Sequence, residues 1–372
     1  MDVDTMQKIV KGTLMVSQFI KALPKAELHM HLEGSLEPET LLGLAKRNSI
    51  NLPYRTADDL RKAYDFDGLQ SFLDLFYVGL SALQTYDDFY QMTDDYLSRT
   101  ARDCVRYAEV FLSPQAHIRR GIAPEVFIEG VLQALADGPR RHGIRGNLIL
   151  TVGRHFDETD ALGMLRAVKP WRDRVVGLGL GGPEIGNPPG KFARTFETAR
   201  CEFGWRCCAH AGEEGGSDYV RDSLHTLKVD RIDHGVRCEE PDLIAELKDR
   251  QIPLTVCPLS NCRLRVFPDM QAHNVRRLHE AGLCVTINSD DPAYFGGYVN
   301  ENYAAIQDAL AFTDHDLLQM AKNSFCSAFL GPSEIEGYLA QLDEYGNGGS
   351  GATPINSASG CALVAGLLPR KA

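Results

Sequence analysis

The sequence predicts an α/β chain folded as a (β/α)8 TIM barrel with a helical insertion after the first strand. Short apolar runs alternate with helical patterns from Met15 to about residue 340, as expected of parallel βα units. Eight such runs can be counted, enough to close a ring. The polar residues best suited to chemistry fall at the C-terminal ends of those runs. A barrel of this kind gathers its active site there.

Taken in order, residues 1–14 are expected to be a flexible extension, 15–343 the barrel and 344–372 a flexible tail. Strands are expected at Glu27–His31, Tyr107–Leu112, Asn147–Val152, Val175–Leu180, Arg206–His210, Arg231–His234, Pro253–Val256 and Cys284–Asn288. The stretch between the first two is too long for one helix. Within it Leu69, Phe72, Leu73, Phe76 and Leu80 follow a helical i, i+3, i+4 spacing. Such a stripe serves as a core face or as a lid over a flat substrate, and different residues can do each. From Tyr345 onward GNGGSGATPINSASG has the composition of a flexible tail.

Composition narrows the functions. Apolar residues make up 44% of the chain, enough for a large core, and the net charge is -11. A nucleic-acid partner would need a basic face, and an anionic membrane surface would repel this chain. No apolar run reaches the ~18 residues that span a bilayer, and the N-terminus lacks a clear secretory signal pattern. A cytoplasmic enzyme with a small-molecule partner is expected, with a homo-oligomer left open. The ten cysteines show no regular framework and no CxxC pair, so reduced thiols are expected. Cys207 and Cys208 are adjacent on a strand and should face opposite ways.

His29 and His31 lie two apart on the first strand, which points both imidazoles to one face, the barrel interior. Imidazole suits zinc and other borderline metals. His210 lies in HAGEEGG, where Gly212 allows a tight turn that brings Glu213 back over the site. A buried carboxyl beside an apolar ligand tends to stay protonated and can donate a proton. Glu214 beside it has the character of a solvated loop acid. His234 is open to two roles, a further ligand or a base that orients water. Asp290 and Asp291 are adjacent after a strand; one can bind a metal and the other accept a hydrogen bond from substrate. A helix N-cap before Pro292 would explain only one of them. Zinc lowers the pKa of a coordinated water to roughly 7, and these parts together describe a hydrolase acting on a C–N bond.

ELHMHLEGSLEPE, HAGEEG, RIDHG, CPLSN and NSDDPAYFGGYVNEN closely resemble the adenosine/adenine deaminase branch of the amidohydrolase superfamily. The resemblance implies one catalytic zinc held by His29, His31, His210 and Asp290. It implies that Glu213 protonates purine N1, that His234 orients and deprotonates the attacking water, and that Asp291 bonds to N7. Two-metal relatives carry a bridging lysine at the end of the fourth strand. GLGLGGPE has none here, which fits a single metal.

Within that family HLEG and NSDDPAYFGGYV resemble adenine deaminases, whereas adenosine deaminases usually carry HLDG. Glu33, one methylene longer than aspartate, would crowd a ribose, so a free base is favoured. Adenine deaminases typically have Asp-Ser-Ser-Glu where this chain has Gly181, Gly182, Pro183 and Glu184. Gly182, Glu184, Glu33 and Asp291 are therefore the expected substrate-binding residues. Adenine is the first expected substrate and an N6-substituted adenine the second, with adenosine behind both. Other amidohydrolase chemistry and a non-catalytic purine-binding barrel are the remaining alternatives.

Overall fold

The computed structural model describes residues 15–348. Its eight strands are β1 (Lys25–Glu27), β2 (Val105–Leu112), β3 (Arg145–Gly153), β4 (Gly177–Gly181), β5 (Arg206–Ala211), β6 (Arg231–His234), β7 (Leu254–Val256) and β8 (Val285–Ile287). They lie in sequence order, each pair of neighbours parallel. The ring closes where Met30 bridges Asp290: His31 N–H donates to Asp290 O at 2.8 Å, and Asp290 N–H to His29 O at 3.0 Å. Helices Pro124–Arg141, Glu158–Val168, Ala193–Phe203, Ser217–Asp222, Pro241–Asp249, Val275–Glu280 and Asp314–Cys326 follow β2 to β8 in turn. Pro124 and Pro241 open their helices at positions where the missing N–H has no intrahelical partner to lose.

The first strand is shorter than its sequence suggests. Regular pairing stops at Glu27 because Leu28 N–H donates to the side-chain Oδ1 of Asn288, at 2.8 Å, instead of to a backbone carbonyl. The chain stays extended beyond that point, and His31 bridges Phe111.

Strand β4 reads GLGLG and leaves one face without side chains. A Cβ on Gly179 would lie 3.5 Å from Thr151 Oγ1 and 3.6 Å from Cys208 Sγ. Phe111, Ile149 and Cys208 fill the barrel interior next to it, and the Phe111 ring packs 5.3 Å from that of His29. Cys207 faces the other way, into the main core, so the adjacent thiols do diverge. Cys207 and Cys208 are among the free cysteines of the described residues.

The insertion between β1 and β2 includes α1 (Leu69–Leu80) and helix Tyr86–Ala101. All five residues of the stripe on α1 belong to the core cluster. Leu69, Phe72, Leu73 and Phe76 also line a cavity at the C-terminal ends of the strands. Phe72 also packs 4.7 Å from the ring of Phe295, which ties the helix to the segment after β8.

The C-terminal boundary moves. The final helix runs Pro332–Gly348, past the expected limit at residue 343. Buried Leu342 and the Tyr345 hydroxyl, which donates to Phe19 O at 2.8 Å, hold it to the body despite its glycines. Residues 1–14 and 349–372 lie outside the described residues. No helix among the described residues is long and apolar enough to cross a membrane.

Candidate active site

The cavity, about 680 Å³ with its open mouth, is lined by residues from the ends of several strands. At its floor His29, His31, His210 and Asp290 bring four donor atoms together. His210 Nε2 is 3.1 Å from His29 Nε2 and 3.2 Å from His31 Nε2. Asp290 Oδ1 is 3.3 Å and 3.4 Å from the same two nitrogens of His29 and His31. A zinc tetrahedron with bonds of about 2.0–2.1 Å has edges of about 3.3 Å, so the donor set fits a four-coordinate ion. Two further groupings, His29 with His234 and Cys257, and Glu213 with His234 and Asp290, share members with this one.

Neighbouring polar groups surround these four side chains. Thr255 Oγ1 donates to Asp233 Oδ1 at 2.9 Å and so can accept from His29 Nδ1, 3.0 Å away. That leaves the His29 Nε2 lone pair facing the cluster. His210 Nδ1 lies 3.6 Å from Asp233 Oδ2. Ser260 Oγ donates to Asp290 Oδ2 at 2.7 Å. Burial pushes His210 well below the ordinary imidazole range, with His29 and His234 adding to it, which favours the neutral ligating form. Burial works against charge on Asp290, but the imidazoles of His29, His234 and His31 outweigh it and hold the carboxyl ionised.

The two other acids behave in the opposite way. Burial, then the charges of Asp290, Glu184 and Glu214, push Glu213 well above the usual carboxylate range. Burial and the neighbouring Asp290 do the same to Asp291. Of the adjacent pair one keeps its charge and the other its proton, as two close carboxyls must. Glu213 Oε1, Asp291 Oδ1 and Thr151 Oγ1 are buried without a hydrogen-bond partner, and all three residues line the cavity. Unsatisfied polar atoms at such a wall are what a polar flat ligand would satisfy. Gly34 makes Asp291 possible, since a Cβ there would fall 1.9 Å from Asp291 Oδ1.

His234 is buried at the end of β6, and burial together with His29 lowers its pKa to about 3. Its Nε2 is 3.5 Å from Glu213 Oε2 and 3.8 Å from Asp290 Oδ2. His234 and Asp290 both have left-handed backbones, at φ 67° and 64°, a strain of roughly 1–3 kcal/mol each that clusters at functional sites.

Gly182 lines the cavity as expected, at φ 93°. Glu33 and Glu184 are placed elsewhere. Glu33 Oε1 accepts from Ser113 N–H at 2.8 Å and from His117 Nε2 at 3.0 Å. Its other oxygen, Oε2, is buried without a hydrogen-bond partner among the described residues. Glu184 turns inward onto the backbone of residues 212–215. Sequence reasoning gave no role to Thr255, Asp233, Ser260, Asn261 or Thr151. Ser260 and Asn261 sit in CPLSN, directly after β7, and a polar cluster at a strand end was the available signal.

A family model described as adenosine deaminase matches residues 24–345. An adenine deaminase of Cupriavidus taiwanensis is 48% identical over 331 residues, covering 89% of this chain and 94% of that protein. One from Geotalea uraniireducens is 51% identical over 326 residues, covering 87% and 91%. The crystal structure of an adenine deaminase from Arthrobacter aurescens superimposes with a TM-score of 0.86 at 44% identity, over 88% of this chain and 100% of that one. A zinc-bound amidohydrolase from Burkhoderia ambifaria is similar at TM-score 0.81 and 28% identity, over 91% and 96%.

Proposed function

The chain belongs to the adenosine deaminase family, and we propose from that premise that it hydrolyses adenine to hypoxanthine and ammonia. One zinc ion would be held by His29, His31, His210 and Asp290. The observation that carries this reading is the pairing of a buried, proton-retaining Glu213 with a four-donor metal cluster in one cavity. Zinc there would supply Lewis acidity, making water nucleophilic at neutral pH.

Glu213 gives its proton to purine N1 and draws electron density from C6. Asp291, also protonated, donates to N7 and fixes the ring. Adenine thereby satisfies buried polar atoms that have no partner among the described residues.

His234 Nε2 faces the reacting centre, and its hydrogen-bond chain bears on its role. Val275 N–H donates to His273 Nδ1 at 3.0 Å, so His273 donates from Nε2 to Asn261 Oδ1 at 3.2 Å. The Asn261 amide then donates to His234 Nδ1 at 3.2 Å. Neutral His234 therefore carries its proton on Nε2 and steers the attacking oxygen as a donor. This supports the orienting half of the role expected for it and not the deprotonating half. After giving its proton to N1, Glu213 is a carboxylate that can accept one from the water and pass it to the departing amine.

The test is a substrate panel with metal-loaded protein: adenine, N6-methyladenine, N6-isopentenyladenine and adenosine, followed by ultraviolet absorbance. Fast turnover of adenine alone is expected. Preference for an N6-substituted base would mean that the side-chain-free wall at Gly181 and Gly182 has opened the pocket to a larger leaving amine. No turnover of any of them would refute the reading.

A further inference from the structure

We propose that Glu184 is a positioning residue for the reaction, a buried carboxylate that holds the 212–215 turn so that the Glu213 side chain faces the purine. This rests on the deaminase reading above. Glu184 is 1% exposed and does not line the cavity. Its Oε1 accepts from Gly212 N–H at 2.8 Å. Its Oε2 accepts from the N–H groups of Glu213, Glu214 and Gly215 at 3.0, 2.8 and 2.8 Å. Four consecutive backbone donors thus converge on one carboxylate, which offers about four lone-pair sites.

The local sequence fits this arrangement. Gly212 takes φ 73°, and a Cβ there would meet Val220 at 2.9 Å. A Cβ on Gly215 would lie 2.6 Å from the Tyr219 ring and 3.0 Å from Glu184 Cδ, so glycine is what lets this turn pack between the ring and the acid. The peptide of Glu213 is gripped from its other side as well. Arg237 Nε donates to Glu213 O at 2.8 Å, and Arg237 N–H donates to Gly212 O at 2.9 Å. Backbone N–H and C=O of Glu213 are both fixed, while its side-chain Oε1 has no hydrogen-bond partner.

Arg154 completes the frame. Fully buried, it donates from one guanidinium nitrogen to His210 O at 2.8 Å and from Nε to Asn187 O at 2.9 Å. Its charge lies within electrostatic reach of Glu184. The ends of β3 and β5 and the loop after β4 are thereby locked together, with the metal ligand His210 and the acid Glu213 on one support.

The experiment is Glu184→Gln in the metal-loaded full chain, with kcat, KM, bound zinc and melting temperature measured together. An amide keeps one oxygen, removes the charge and turns an NH2 group toward at least one backbone donor, so the four-fold grip is broken. A misplacement near 1 Å costs about 10²-fold in rate. The expected result is kcat lower by about that factor with KM and zinc content close to wild type. Glu184→Asp, which keeps the charge and both oxygens, should recover part of the loss. A kcat within about three-fold of wild type would overturn the proposal, as would a fall that merely follows zinc loss. If Glu184→Gln does not fold, Arg237→Met releases the same peptide from its carbonyl side. It should lower kcat and leave KM and zinc unchanged; an unchanged kcat would overturn the proposal too. Wild-type protein inactive on every purine would instead sink the deaminase reading itself.

Discussion

Gly34→Ala separates recognition of the base from binding of the metal. The backbone at Gly34 is not left-handed, so alanine brings no φ penalty, and the whole effect is steric. Its Cβ would fall 1.9 Å from Asp291 Oδ1, 2.5 Å from Cγ and 2.6 Å from Cβ. To restore a 3.0 Å separation the carboxyl must retreat by about 1.1 Å and Asp291 Cβ by about 0.4 Å, which is enough to break the hydrogen bond proposed between Asp291 and the purine. A charge-free hydrogen bond left unmade against a buried partner costs about 1–3 kcal/mol, and a displacement of this size costs about 10²-fold in reactive geometry. The expected kcat/KM for adenine is therefore lower by about 10–100-fold. The three atoms nearest the new methyl group all belong to Asp291, so zinc content is expected to stay close to wild type. The assay is steady-state turnover of adenine by absorbance, with metal analysis and a thermal melt on the same preparation. Turnover within three-fold of wild type in a folded protein would refute the reasoning, and equal loss from Asp291→Asn would support it.

Other variants probe the remaining parts of the site. Glu213→Gln should lose at least roughly 10²-fold in kcat, and retained activity would remove Glu213 from the mechanism. Because the proton-bearing form of Glu213 acts, and its pKa is raised by burial and nearby carboxylates, wild-type kcat/KM should fall as pH rises through that raised value. A profile flat on its alkaline side would contradict this. Chelator should abolish activity and zinc restore it, while Asp290→Ala should lose metal; full occupancy in that variant would mean the ligand is misassigned. Ser260→Ala frees Asp290 Oδ2 from its 2.7 Å donor. It should weaken zinc affinity by about 10–100-fold in a competition titration, and unchanged affinity would show that Ser260 does not orient the ligand.

Where the chain alone was informative, the reason is local. Apolar runs ending in histidine or aspartate mark β5, β6 and the start of the site directly, because period-2 geometry and the strand end are both encoded within a few residues. What was not legible depends on partners distant in sequence. Glu33 Oε1 finds its partner His117 84 positions away. Glu184 finds its four donors 28 to 31 residues downstream. The end of β1 depended on an Asn288 side chain 260 residues from Leu28. At the C-terminus glycine-rich composition suggested a tail at 344, but packing of Leu342 and Tyr345 carries the helix to Gly348.

The left-handed backbones of His234 and Asp290 have an engineering consequence. At both positions glycine or asparagine would relax the main chain by up to about 1–3 kcal/mol, yet each position supplies a side chain to which the proposed mechanism gives a role. A library selected for heat resistance alone would therefore drift toward glycine or asparagine at 234 and 290. Its hardiest members would be its least active, and selection for thermal robustness in this enzyme has to be coupled to turnover from the first round.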